Sequence, residues 1–177
     1  MALLVQMNSV SYSHYTSTCF SQSLLKQGSD AACEPLLAAL RPASQEAVAA
    51  LACREGEQVI HPRTLLRQED VPVCITPHFL PQLAGWSQLQ HYRSGSLHDF
   101  LQQRQQPLSL AQTRISTHCV QAQASRLSAV PLQAPLPCIR TLRRGADGQL
   151  AEYAARLTRG EMTELMLEHQ AKNNGEE

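Results

Sequence analysis

The 177-residue chain carries 15 Lys+Arg against 15 Asp+Glu and is 43% hydrophobic but only 5% aromatic, which suits one domain with a mainly aliphatic core. A zero net charge excludes a general electrostatic pull on DNA, RNA or anionic lipid. No apolar run approaches the ~18 residues that a membrane-spanning helix needs, so no membrane partner is expected.

The chain begins with a short apolar run, residues 2–6. A polar stretch of Ser, Tyr, Asn and Thr follows over 9–17 and reads as a linker. Thr18 is placed to cap a helix over 19–27 that Gly28 ends. Residues 36–40 predict a strand. Pro42-Ala43-Ser44 opens a helix reaching about Cys53, with Ser44 as cap and Ala47, Val48 and Leu51 facing inward. Residues 58–67 alternate, which puts Val59, His61, Arg63 and Leu65 on one face and Ile60, Thr64 and Leu66 on the other. Pro62 implies an edge or a bulge there. A turn at 68–70 leads to a partner strand over 71–80, and 81–89 reads as a short helical connection carrying Trp86.

Ser96 is placed to cap a helix over 97–104, with Asp99 at its third position. A glutamine-rich end, 102–106, is solvated. Residues 113–120 alternate as a strand and 121–128 form a helix. Residues 136–143 and 150–158 make a second hairpin, 164–169 a last strand, and 171–177 a polar, disordered end. Antiparallel hairpins with helices inserted between them are an α+β pattern, not the repeating β-α-β of a parallel sheet.

Few residues advertise chemistry. The chain has no GxSxG, Walker A, GxGxxG or HExxH motif. Its seven histidines, at 14, 61, 78, 91, 98, 118 and 169, follow no metal-ligand spacing. The six cysteines, at 19, 33, 53, 74, 119 and 138, form no CxxC pair and read as reduced thiols of a cytoplasmic protein. No catalytic residue, metal or cofactor is expected. Anion binding is better supported. Ser94-Gly95-Ser96-Leu97 lies at a helix start, where backbone N–H groups and two hydroxyls meet; Ser96 alone would serve equally as a plain cap. Arg63 shares a strand face with His61, and an arginine fork suits a tetrahedral oxyanion; a solvated strand arginine is the alternative. Glu152 and Tyr153 fall on opposite faces, so Glu152 meets either a ligand amine or a surface cation. His78 is a further strand residue, and Arg114, Ser116 and His118 share one face.

The order of these pieces resembles a known family. Thr18 through Gly28, Leu40-Arg41-Pro42-Ala43-Ser44, Arg54-Glu55-Gly56-Glu57-Gln58-Val59-Ile60, Gly95-Ser96-Leu97-His98-Asp99-Phe100-Leu101, and the closing hairpin from Glu152-Tyr153 to Gly160-Glu161 are similar to the UTRA domain. UTRA domains are the effector-binding halves of HutC-type regulators in the GntR superfamily. The segments around His61 to Leu65, Ser94 to Leu101 and Thr113 to Ser116 bring the chain nearest to repressors of phosphonate-utilisation operons.

That resemblance implies a chorismate lyase-like α+β fold, an antiparallel sheet flanked by helices. It implies a wing remnant and linker over 1–17, the effector domain over 18–169 and a tail over 170–177. It places an effector anion on Ser94, Ser96 and Arg63, with His61, Thr76, His78 and Glu152 around it. Leu65 stands where relatives carry a second arginine, Thr76 replaces an acid and Thr163 a tyrosine. A small phosphonate or phosphate ester is therefore the expected partner. The resemblance also implies a homodimer that reaches operator DNA only through a winged-helix domain absent from this chain. Two rival readings remain open: a chorismate lyase-like enzyme acting on a small anion, and an interaction module without a ligand.

Overall fold

The computed structural model describes residues 10–13, 31–81, 89–104 and 106–166. Six strands form one antiparallel sheet: β2 (Ala31–Pro42), β3 (Gln58–Gln68), β4 (Val71–Pro81), β5 (Ser109–Cys119), β6 (Pro135–Arg144) and β7 (Leu150–Thr158). Their spatial order is β2-β3-β4-β7-β6-β5. Among the described residues three α-helices accompany them, α1 (Gln45–Leu51), α2 (Leu97–Gln103) and α3 (Ala122–Ser128). The α+β antiparallel expectation is met.

A separate two-stranded parallel sheet pairs β1 (Val10–Ser13) with β8 (Thr163–Met166). The stretch read as linker thus contains a strand. The helix expected over 19–27, the connection with Trp86 and the ends of the chain lie outside the described residues.

Local chemistry explains the boundaries. Ser44 caps α1 by accepting the Ala47 N–H at 3.2 Å, and Ala52 ends the helix in the left-handed region at φ 53°. The β3–β4 hairpin turns through Glu69 and Asp70, both at positive φ, 48° and 64°, as a tight hairpin turn requires. Strand β2 is longer than predicted, because a bulge between Pro35 and Leu37 lets the ladder to β3 continue on either side.

Pro62 corrects one expectation. It sits neither at an edge nor at a bulge but in β3, an internal strand, where it pairs with Ala38. The β3–β4 register places it opposite His78, and it has no N–H to give. The Nδ1–H of His61 donates to the His78 carbonyl instead, at 2.7 Å, so the strand's missing donor is replaced by a side chain.

Both faces of the central strands are covered. On one, Ile60 and Leu80 pack with Leu89, Tyr92, Leu97 and Leu101, which seats α2. On the other, Ala47 and Leu51 of α1 pack on Tyr153, Phe79 and Leu142. His61 stacks on Phe79 at 4.4 Å between centroids on this α1 face. Sheet alternation therefore sorts the polar residues between two compartments.

Candidate functional site

The α2 compartment holds a connected polar cluster. Glu152 of β7 is fully buried and is expensive there unless its charge is met. Three donors converge on it. His78 of β4 gives Nδ1–H to Oε1 at 2.6 Å, His98 of α2 gives Nε2–H to Oε2 at 2.8 Å, and Arg143 of β6 gives Nη1–H to Oε2 at 3.2 Å. Burial alone would raise the carboxyl pKa. The His98 and Arg143 charges and the histidine N–H bonds outweigh it, so Glu152 titrates well below the usual carboxylate range. The pKa of His78 is lowered, first by its burial, although Glu152 pulls the other way. Arg143 also donates to Thr141 at 3.1 Å, and Thr64 lies 3.2 Å from His78 Nε2. With Nδ1–H committed to Glu152, a neutral His78 accepts the Thr64 hydroxyl there.

A small, partly open cleft of about 30 Å³ lies in front of this cluster, and Thr64, Thr76, His78, Ser96, His98 and Arg156 supply its polar lining. Cys33, Leu66, Cys74 and Leu97 complete the wall. Ser96 caps α2, its Oγ accepting the Asp99 N–H at 3.2 Å. Gly95 stands before it at φ 81°. Its N–H bonds the Cys33 carbonyl at 2.9 Å and its carbonyl takes the Tyr92 hydroxyl at 2.6 Å. The α2 entry loop is thus tied to β2, and a left-handed residue is what lets it turn in.

Of the residues expected at one site, the structure brings together Ser96, Thr76, His78 and Glu152. Ser94 is on the exposed loop and does not line the cleft. Arg63 and His61 are separated from it. They share the alternate face of β3 with Val59 and Leu65, the α1 side, while Thr64 faces α2. The expected pocket between Arg63 and the Ser96 helix therefore does not form, because strand parity sends their side chains through opposite faces of the sheet. Arg63 is half-buried near Arg41, and burial first, then that like charge, lowers its pKa. Residues that the sequence reasoning missed are Thr64, His98, Arg143 and Arg156. Parity already marked Thr64, and Arg156 shares the Glu152 face four residues on. The 54 residues between His98 and Glu152 leave no local signal for that pair.

Ligand-type atoms of His78, His98 and Glu152 lie within 4.8 Å of one another, which spacing along the chain did not foretell. A dication would have to fit beside the Arg143 guanidinium that already neutralises this carboxylate, so the set reads as a hydrogen-bonded ion cluster. Nor is Glu152 a poised acid: it is ionised and committed to three donors. Its effect is to fix both histidine rings at the back of the cleft.

The UTRA domain family model matches residues 26–164. Over 171 residues the chain is 43% identical to a protein of Escherichia coli (strain K12) named "Probable transcriptional regulator PhnF", covering 96% of this chain and 71% of that one. A crystal structure of a PhnF C-terminal domain superposes with a TM-score of 0.73 at 44% identity, over 82% of this chain and 93% of that one. PhnF from Mycobacterium smegmatis, at 17% identity, shares the fold with a TM-score of 0.78, over 93% of this chain and 73% of that one. On the match to its family model and the identity to PhnF, the chain belongs to the UTRA domain family.

Proposed function

We propose that this chain is the effector-sensing part of a GntR/HutC-type transcriptional regulator. The Escherichia coli relative is named a probable transcriptional regulator, and two relatives carry the PhnF name at more than 40% identity. The effector is a small phosphonate or phosphate-bearing anion, and the α2 cleft is where it sits. The observation that carries this reading is the cleft's polar lining. The Ser96, Thr64 and Thr76 hydroxyls, two histidine rings pinned by one buried carboxylate, and the Arg156 guanidinium surround a space of about 30 Å³. Such a space holds about two ordered waters, and a compact tetrahedral head group would take their place.

The ligand alters operator affinity only if it binds one arrangement of the regulator better than another; a tenfold preference is about 1.4 kcal/mol. DNA contact would come through a DNA-binding domain joined to this one, and pairing of two copies would convert a change in spacing into a change in operator fit. A thermal-shift series tests the site. Methylphosphonate, aminoethylphosphonate, phosphate and glucosamine-6-phosphate are each added to the parent chain, to Ser96→Ala and to His98→Gln. A ligand at about 100 times its Kd adds about 2.7 kcal/mol of stability. Stabilisation of the parent by a phosphonate, lost in both variants, supports the reading. No response to any of the four, or an equal response in the variants, refutes it.

A further inference from the structure

The opposite face of the sheet carries a larger cleft, of about 480 Å³. It exists because α1 covers β7 and the near edge of β6 but stops short of β5. Leu142, Ala49 and Ala50 give it apolar walls, and Gln112, Arg114, Arg140, Thr141, Glu46 and Tyr153 line the rest. The volume falls in the range of about 300–1,000 Å³ usual for small-molecule sites. Thr141 alone among them meets the Glu152 cluster, by accepting from Arg143; the charged groups of the cleft lie on the other face of the sheet.

Two features point to an anion. Arg114 and Arg140 are directly opposite in the β5–β6 register, so two positive side chains share one cross-strand position, a destabilising pairing unless something negative lies between them. Their states also differ. Arg140 is held in place: Nη1 donates to Ser116 at 2.7 Å, Nη2 donates to His118 Nε2 at 2.6 Å, and Glu46 is 3.6 Å away. Arg114 is exposed and makes no hydrogen bond or ion pair among the described residues. One carboxylate, Glu46, thus faces two guanidinium groups, and it also accepts the Tyr153 hydroxyl at 3.1 Å. The cleft keeps one positive charge over, beside an apolar wall.

We propose that this cleft is a second ligand site, taking a small organic oxyanion with a compact apolar body, its charged end between Arg114 and Arg140 and its body against Leu142 and α1. It is distinct from the effector cleft and does not depend on it. The test is a calorimetric titration of benzoate into the parent chain, Arg114→Gln and Ser96→Ala, with amide chemical shifts followed in parallel. The expected result is saturable binding to the parent, with shifts at Ala50, Gln112 and Leu142. Binding should weaken at least tenfold in Arg114→Gln and stay unchanged in Ser96→Ala. Arg114 makes no contact that folding uses and faces a like charge, so that variant keeps or slightly raises its unfolding midpoint. Absence of saturable binding, equal affinity in Arg114→Gln, or loss in Ser96→Ala overturns the proposal. The Ser96→Ala arm also separates its fate from that of the effector cleft.

Discussion

Replacing Glu152 with glutamine removes one charge and almost no volume. Three donors then face an amide instead of a carboxylate, and Arg143, 6% exposed, is left as a buried cation without its anion. Removing one member of a buried pair costs about 3–5 kcal/mol. The amide oxygen still accepts one of the three bonds, so the lower end, about 3 kcal/mol, is the expected loss. In a domain of this size each kcal/mol moves Tm by about 2–4 °C, so the midpoint should fall by roughly 6–12 °C. Urea unfolding at pH 7.5 measures the loss directly. The companion variant Arg143→Met removes the stranded charge, so the double variant should be more stable than the sum of the two singles predicts, by at least about 1 kcal/mol. A Glu152→Gln loss below about 1 kcal/mol, or strict additivity with Arg143→Met, would refute the view that this carboxylate anchors the cluster.

Acid should weaken the fold in two stages. Burial lowers the pKa of both His61 and His78 from 6.5, so the unfolded chain binds more protons than the folded one, and stability should fall as pH drops below about 6.5. The depressed Glu152 adds a second loss as pH falls from 4.5 toward its folded value. A Tm that is flat or rising from pH 7.5 to 5 would contradict this. Gly95→Ala, at φ 81° with no heavy atom within 4 Å of the added Cβ, should cost about 1 kcal/mol by backbone strain alone. Leu101→Ala, at 1% exposure, should cost about 2–5 kcal/mol by leaving a cavity under α2; denaturant midpoints rank the two. Arg63→Ala should leave the phosphonate thermal shift intact, because Arg63 lies across the sheet from the cleft; loss of the shift would place the ligand on the wrong face in this account.

The hairpins, the two caps at Ser44 and Ser96 and the antiparallel class were legible in the sequence because each is a local effect: alternation, a hydroxyl before a helix, a turn. The faces of β3 were legible for the same reason, and they already set Thr64 apart from Arg63. Assigning Arg63 to the Ser96 pocket by resemblance overrode that parity. What stayed hidden is what only register creates. Arg143 meets Glu152 through the β6–β7 ladder, and His98 reaches it from a helix 54 positions upstream. Arg140 finds Ser116 and His118 only because β5 lies against β6. Pro62 misled because the substitute donor, His61, is its own neighbour turned toward the next strand's carbonyl.

The short β1–β8 ladder has a mechanical consequence. It couples Val10 to Thr163 and Ser13 to Met166 side by side. Strand β8 is itself fastened to the end of β7, by a single 3-10 turn over Gly160–Met162 and a Thr158–Thr163 hydroxyl contact of 2.5 Å. Strand β7 carries both Glu152 and Arg156. Among the described residues, one route from Val10 to the back of the α2 cleft therefore runs through one parallel ladder and one tight turn. A displacement of Val10 that kept this ladder paired would reach β7 as a slide or a tilt, whereas one that exceeded what a four-residue parallel ladder can hold would part the two strands first.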